Sequence, residues 1–224
     1  VLSGLVLIIS KQYKFIYIGI PKTGSTTCVS YLADSGLLTN EDIFGNKSAR
    51  KLVEFVQRSE PTDNLNFLFD HIFYNNYRHA KYKNAEKDYP EIKNYTSYAT
   101  IRNPIDRLVS AAVMIGSAGL TNINEDNLLI DRIESFIGAG HIFGQKQCDF
   151  ITKDTILWPT EKLQECVEDF VRGLGGRVRS GWHCRNNNSG QYSHLLSEQL
   201  ISKIKSTYSE DYELWEKAYA AHIN

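Results

Sequence analysis

The chain has 224 residues, 42% hydrophobic and 23% charged, which is ordinary for a soluble globular protein and suits one domain with a full apolar core. Its formal net charge of −1 provides no global basic field, which argues against nucleic acid or an anionic membrane as partner. Cys28, Cys148, Cys166 and Cys184 form no C-x-x-C pair, so neither a zinc nor a redox site is expected.

The opening "VLSGLVLIIS" is far short of the ~20 apolar residues that span a bilayer and reads as an edge strand rather than the stub of an upstream anchor. "YKFIYIGI" (13–20) is a β-branched and aromatic run closed by Gly and Pro, the pattern of a buried strand. After Gly24, "STTCVSYLADSG" has helical periodicity and stops at Gly36, a C-cap residue. "LNFLFDHI" (65–72) and "YTSYATI" (95–101) read as further strands. The second of these leads into "RNPIDRLVSAAVMIG", where Asn103 caps a helix and Pro104 takes its first turn. "NEDNLLIDRIESFIGAG" reads as a helix, "DTILW" as a strand and "TEKLQECVEDFVRGLGG" as a helix closed by glycines. Residues 176–192 read as a long loop, and "LSEQLISKIKSTYSEDYELWEKAYAAH" supplies one or two closing helices. Alternating strands and helices predict an α/β fold, a single domain over 1–224 with a mainly parallel sheet flanked by helices, of the P-loop nucleotide-binding type.

One stretch poses a chemical question. In "IGIPKTGSTT" (18–27), Gly19 and Gly24 keep the glycine spacing of the ATPase phosphate loop, but Ser25 stands where that loop needs its lysine. Lys22 lies inside the loop instead. The strand–loop–helix context still suits an anion, because a helix N-terminus presents free N–H groups and partial positive charge.

"PKTGSTT" followed by "IRNPIDRLVS" resembles the paired signatures of sulfotransferases that use 3′-phosphoadenosine 5′-phosphosulfate (PAPS). That resemblance implies a first motif, Pro21, Lys22, Thr23, Gly24, Ser25, Thr26 and Thr27, that cradles the 5′-phosphosulfate, and a second, Arg102 with Ser110, that holds the 3′-phosphate. The chemistry is consistent with it. A kinase needs magnesium because its transferred phosphoryl and leaving diphosphate carry several negative charges. A sulfuryl group carries less, so Lys22 beside the bridging oxygen suffices as electrostatic stabiliser and no metal is required. Arg107, one turn before Ser110, is expected in a structural ion pair.

The resemblance extends, less specifically, to carbohydrate sulfotransferases of the heparan sulfate 2-O type, which place a catalytic histidine between the two motifs. His71 in "FDHIFY" matches that place, and an imidazole is a suitable base for a sugar hydroxyl. His141 in "GHIFGQKQCDFI" is the second candidate, and a histidine merely satisfied in the core is the plain alternative. "YSHLLSEQL" resembles the segment that closes over the nucleotide in this family, which brings in Ser193 and His194. Tyr74, Tyr77, Trp158 and Trp182 form either an aromatic acceptor wall or ordinary packing.

The expected activity is therefore sulfuryl transfer to a hydroxyl acceptor, a saccharide first, with a small natural product or a protein tyrosine as alternatives. A P-loop kinase and a non-catalytic nucleotide-binding module are the rival readings. Compartment stays open between cytoplasm and Golgi-type lumen, since the triplets at Asn46, Asn94 and Asn188 accept glycans only in a secretory pathway. Oligomeric state is not legible.

Overall fold

A computed structural model describes residues 7–38, 42–44, 81–117, 125–138, 141–178, 192 and 194–222. A four-residue turn joins β1 (Leu7–Ser10) to β2 (Phe15–Ile18) as an antiparallel hairpin, with Ser10 opposite Phe15. Lys14 ends that turn at φ 54, so the strand starts two residues later than the apolar run. The phosphate-loop stretch then leads into α1 (Ser25–Asp34). Gly36 follows at φ 79, the left-handed position that stops a helix without a Cβ penalty. The two-residue β3 (Ile43–Phe44) comes next.

The expected strand at 65–72 lies outside the described residues. Then follow the short α2 (Tyr82–Asp88), β4 (Thr96–Ile101), α3 (Pro104–Ser117) and α4 (Glu125–Gly138). The last part holds β5 (Ile156–Pro159), α5 (Leu163–Gly173), α6 (Glu198–Thr207) and α7 (Ser209–Ala220). Asn103 caps α3 as expected, its Oδ1 accepting from the N–H groups of Ile105 at 3.0 Å and Asp106 at 3.5 Å.

The sheet runs β3-β1-β2-β4-β5. β2 pairs with β4 and β4 with β5 in parallel, whereas β1 opposes both β2 and β3. Four strands therefore point one way and β1 alone the other, which bears out the mainly parallel α/β fold. The opening strand is not at the edge, because Ile43 and Phe44 pair on its outer side with Ile8 and Leu7.

Period-two alternation distributes β2 between two cores. Phe15 and Tyr17 join Ile8, Trp158 and the apolar sides of α1 and α5. Ile16 and Ile18 join Leu7, Ile9, Ala99 and Phe150 on the other face. All four β2 residues are buried, as a strand covered on both faces must be, and burying each such side chain stabilises by roughly 1.5–3 kcal/mol. A third cluster packs α3 against α4 and α6 through Leu108, Ala112, Ile133, Phe136 and Ile204. No helix among the described residues is long and apolar enough to cross a membrane.

Candidate active site

Because β2, β4 and β5 are parallel neighbours, the segments leaving their C-terminal ends converge. Open α/β sheets bind ligands at this edge. Three stretches meet there: Gly19–Gly24 after β2, Arg102–Asn103 after β4 and Thr160–Lys162 after β5.

The carbonyls of Ile20 to Gly24 in the first stretch are each held by a donor. Ile20 O accepts from Thr23 Oγ1 at 2.9 Å, and Pro21 O from Arg107 Nε at 3.1 Å. Lys22 O accepts from an Arg102 guanidinium nitrogen at 3.2 Å, and Thr23 O from Thr160 Oγ1 at 2.9 Å. Gly24 O takes the N–H of Cys28 at 3.1 Å and so starts α1. The N–H groups of Lys22 to Thr27 find no acceptor among the described residues. Buried main-chain groups are nearly always paired, so a loop with its carbonyls bonded and its N–H groups unmet suits an anion.

Backbone strain sharpens the loop. Lys22 has φ 66 and Gly24 has φ 84, the left-handed region that a non-glycine residue enters only at a cost. The φ of 84 favours glycine at position 24, and a Cβ there would lie 2.9 Å from the tip of Leu163, Cδ2, which would have to shift. Thr23 turns its hydroxyl inward to Thr100 Oγ1 at 2.6 Å, which in turn meets Tyr17 OH at 3.0 Å. Its side chain braces the loop, leaving its N–H as its only group for a ligand.

Lys22 Nζ meets only a thioether, Met114 Sδ at 3.2 Å on α3, among the described residues. Burial, and then the charge of Arg102, push its pKa down to about 8. Two cations share a desolvated edge, and a bound anion would relieve both. Arg102 is also pushed down by burial, opposed by Asp106 and Glu161, but a guanidinium stays charged.

The peptide of Arg102 is clasped by Gln147, whose Oε1 accepts from Arg102 N–H at 3.1 Å and whose amide nitrogen donates to Arg102 O at 2.8 Å. Gln147 is itself buried and fixed by Asp211 of α7, which accepts from the N–H groups of Gln147 at 2.7 Å and Cys148 at 2.9 Å. Ser110 is buried on α3 with its Oγ unpartnered among the described residues. Arg107 is not in the expected ion pair. Its fully desolvated guanidinium binds the carbonyls of Pro21 and Gln145, the latter at 2.9 Å, with Asp211 acting only as a more distant charge.

Residues 6–113, just under half of the chain, match the model of the sulfotransferase family. That stretch of the chain is similar to sulfotransferases. Members of the family are enzymes that use PAPS as donor, and the matched stretch contains both the Lys22 loop and the Arg102–Ser110 segment. No curated protein and no solved structure matches the chain. The match favours the sulfotransferase expectation over the kinase reading.

Pro21 to Thr27 and Arg102 meet at one sheet edge, and Ser110 lies on α3, the helix whose Met114 touches Lys22. His71 and Ser193 lie outside the described residues, as do Tyr74, Tyr77 and Trp182. His141 caps its own turn, with Nδ1 accepting from Phe143 N–H at 3.3 Å and the ring stacked on Phe136. Burial lowers its pKa. Trp158 is core, stacked on Tyr17 and tilted against Tyr98, so it forms no acceptor wall. Burial pushes the Cys148 and Cys166 thiols up to about 12, and no group of three or more His, Cys, Asp or Glu among the described residues is arranged to hold a metal ion. Sequence reasoning missed Thr160, Gln147 and Asp211. The only signal available was that Thr160 follows Pro159 at a predicted strand end.

Proposed function

We propose that this protein is a sulfotransferase that moves the sulfuryl group of PAPS to a carbohydrate hydroxyl, with Lys22, Arg102 and Ser110 as its donor-binding residues and His71 as base. The observation that carries the donor assignment is the Lys22 ammonium, desolvated beside Arg102 and lacking any carboxylate partner among the described residues. The unpartnered Ser110 hydroxyl on the same helix as Met114 suits a 3′-phosphate oxygen. The carbohydrate class rests on the position of His71 between the two motifs.

In this reading the acceptor oxygen attacks sulfur as the bond from sulfur to the phosphate bridging oxygen breaks in line. The hydroxyl proton passes to His71. Charge developing on the departing phosphate is met by Lys22 and by the N–H groups of the loop, which are already oriented before reaction. Calorimetry without magnesium tests the donor site: adenosine 3′,5′-bisphosphate should bind roughly ten- to a hundredfold more tightly than adenosine 5′-monophosphate, the scale of losing charge-assisted hydrogen bonds. Equal affinities would remove Arg102 and Ser110 from the site. Labelled donor offered to oligosaccharides, phenols and tyrosine peptides tests the acceptor class, and transfer to tyrosine alone would overturn the carbohydrate reading.

A further inference from the structure

The geometry points to Arg107 and Thr160 as positioning residues that set the direction of the loop's N–H groups and so tune its hold on the 5′-phosphosulfate. This inference rests on the donor reading above. A trans peptide unit is planar, and its C=O and N–H point in opposite directions. Fixing the carbonyl of Pro21 therefore aims the N–H of Lys22, and fixing that of Thr23 aims the N–H of Gly24. Arg107 Nε holds the first at 3.1 Å and Thr160 Oγ1 the second at 2.9 Å. Both latches come from elements remote in sequence, α3 and the turn after β5, and both have a second partner. Arg107 also donates to Gln145 O at 2.9 Å through a second nitrogen, whereas the single hydroxyl proton of Thr160 is shared between Thr23 O and Ile101 O at 3.0 Å.

The latches matter because the loop is under strain. With Lys22 at φ 66, a peptide flip would relieve the left-handed residue but turn a carbonyl dipole toward the ligand. A carbonyl facing a phosphosulfate repels it, whereas an N–H attracts it. Arg107 thus acts on the anion through the backbone, and its charge is spent inside the fold at 1% exposure rather than on the ligand.

The test compares two nucleotides on the full chain by calorimetry. Adenosine 3′,5′-bisphosphate engages the loop, whereas adenosine 3′-monophosphate shares every group but the 5′-phosphate. Thr160→Val keeps the shape and removes the hydroxyl. It should weaken the bisphosphate roughly fivefold or more, the scale of one net hydrogen bond, while the 3′-monophosphate stays unchanged. Thr160→Ser should restore the wild-type ratio, and Arg107→Lys, which loses the guanidinium fork, should repeat the Thr160→Val pattern. If Arg107→Lys does not fold, the Thr160 pair decides. Equal weakening of both nucleotides would mean general loosening and overturn the proposal, as would an unchanged ratio in folded Thr160→Val. Equal binding of the two nucleotides by the wild type would instead remove the 5′-phosphate from the loop, and the donor reading would fail first.

Discussion

Lys22 should cost the protein stability at neutral pH, and removing its charge should make the fold harder to melt. Its pKa falls from 10.5 to about 8, with burial as the larger cause and Arg102 as the smaller. Because the folded value lies below the unfolded one, the folded state resists binding this proton. The penalty is fully present below about pH 8, shrinks between there and the unfolded value of 10.5, and vanishes above it. A shift of that size corresponds to roughly 3 kcal/mol at pH 7, an order of magnitude that residual solvent contact reduces. Lys22→Met keeps an unbranched side chain beside Met114 and drops the charge. In a domain of this length each kcal/mol moves the midpoint by about 2–4 °C, so the variant should melt several degrees higher at pH 7. The advantage should shrink at pH 9.5, where the wild-type lysine has already lost its proton in the fold. Paired thermal melts at the two pH values measure it. A variant no more stable than wild type at pH 7, or an advantage independent of pH, would refute the claim that Lys22 is held as a desolvated cation awaiting an anion.

Other outcomes follow from the same geometry. In the proposed mechanism the ammonium acts on charge that develops in the transition state, so Lys22→Ala should lower kcat more than it weakens donor affinity; loss of affinity with kcat preserved would make it a mere clamp. Gly24→Ala combines φ 84 with a contact at 2.9 Å to Leu163 and should cost about 1–3 kcal/mol in a denaturant melt, with weaker nucleotide binding; an unaffected melt would contradict the packing of α5 on the loop. His71→Ala should leave nucleotide affinity intact while turnover falls roughly a hundredfold or more, the scale of general-base loss. A fully active variant would pass the role to His141 or a nearby carboxylate.

The strands and helices that carry the site were legible because each has strong local signals. β2 is an unbroken apolar run, and Asn103–Pro104 announces α3 two residues after β4 ends. The two proposed donor motifs stood out for the same reason, as each sits on one strand-to-helix junction. What stayed hidden depends on segments far apart in sequence. Thr160 reaches Thr23 across 137 residues and Arg107 reaches Pro21 across 86, and only the pairing of β2 with β4 and β4 with β5 brings them together. The residues three and four away from Arg107 are Asn103, Pro104, Ser110 and Ala111, none a carboxylate, so the expected ion pair had no helical neighbour to form it. The true partners of Arg107 are main-chain carbonyls, which leave no mark in a sequence. The opening strand was misplaced at the edge because a two-residue β3 carries no periodicity.

The clasp of Asp211 on Gln147, and of Gln147 on Arg102, has a consequence for when this protein becomes competent. The ribosome delivers the Lys22 loop and Arg102 early, yet the carboxylate that anchors their support sits at position 211. At about 5–20 residues per second, the interval from Arg102 to Asp211 lasts on the order of 5–20 s. Through that interval the nascent chain carries two cations at an unfinished edge, able to meet nucleotides in the cell but with no fixed grip on them. On the proposed donor reading, a firm grip is thereby deferred until α7 arrives, and a product cut short before α7 would carry both motifs without a finished site.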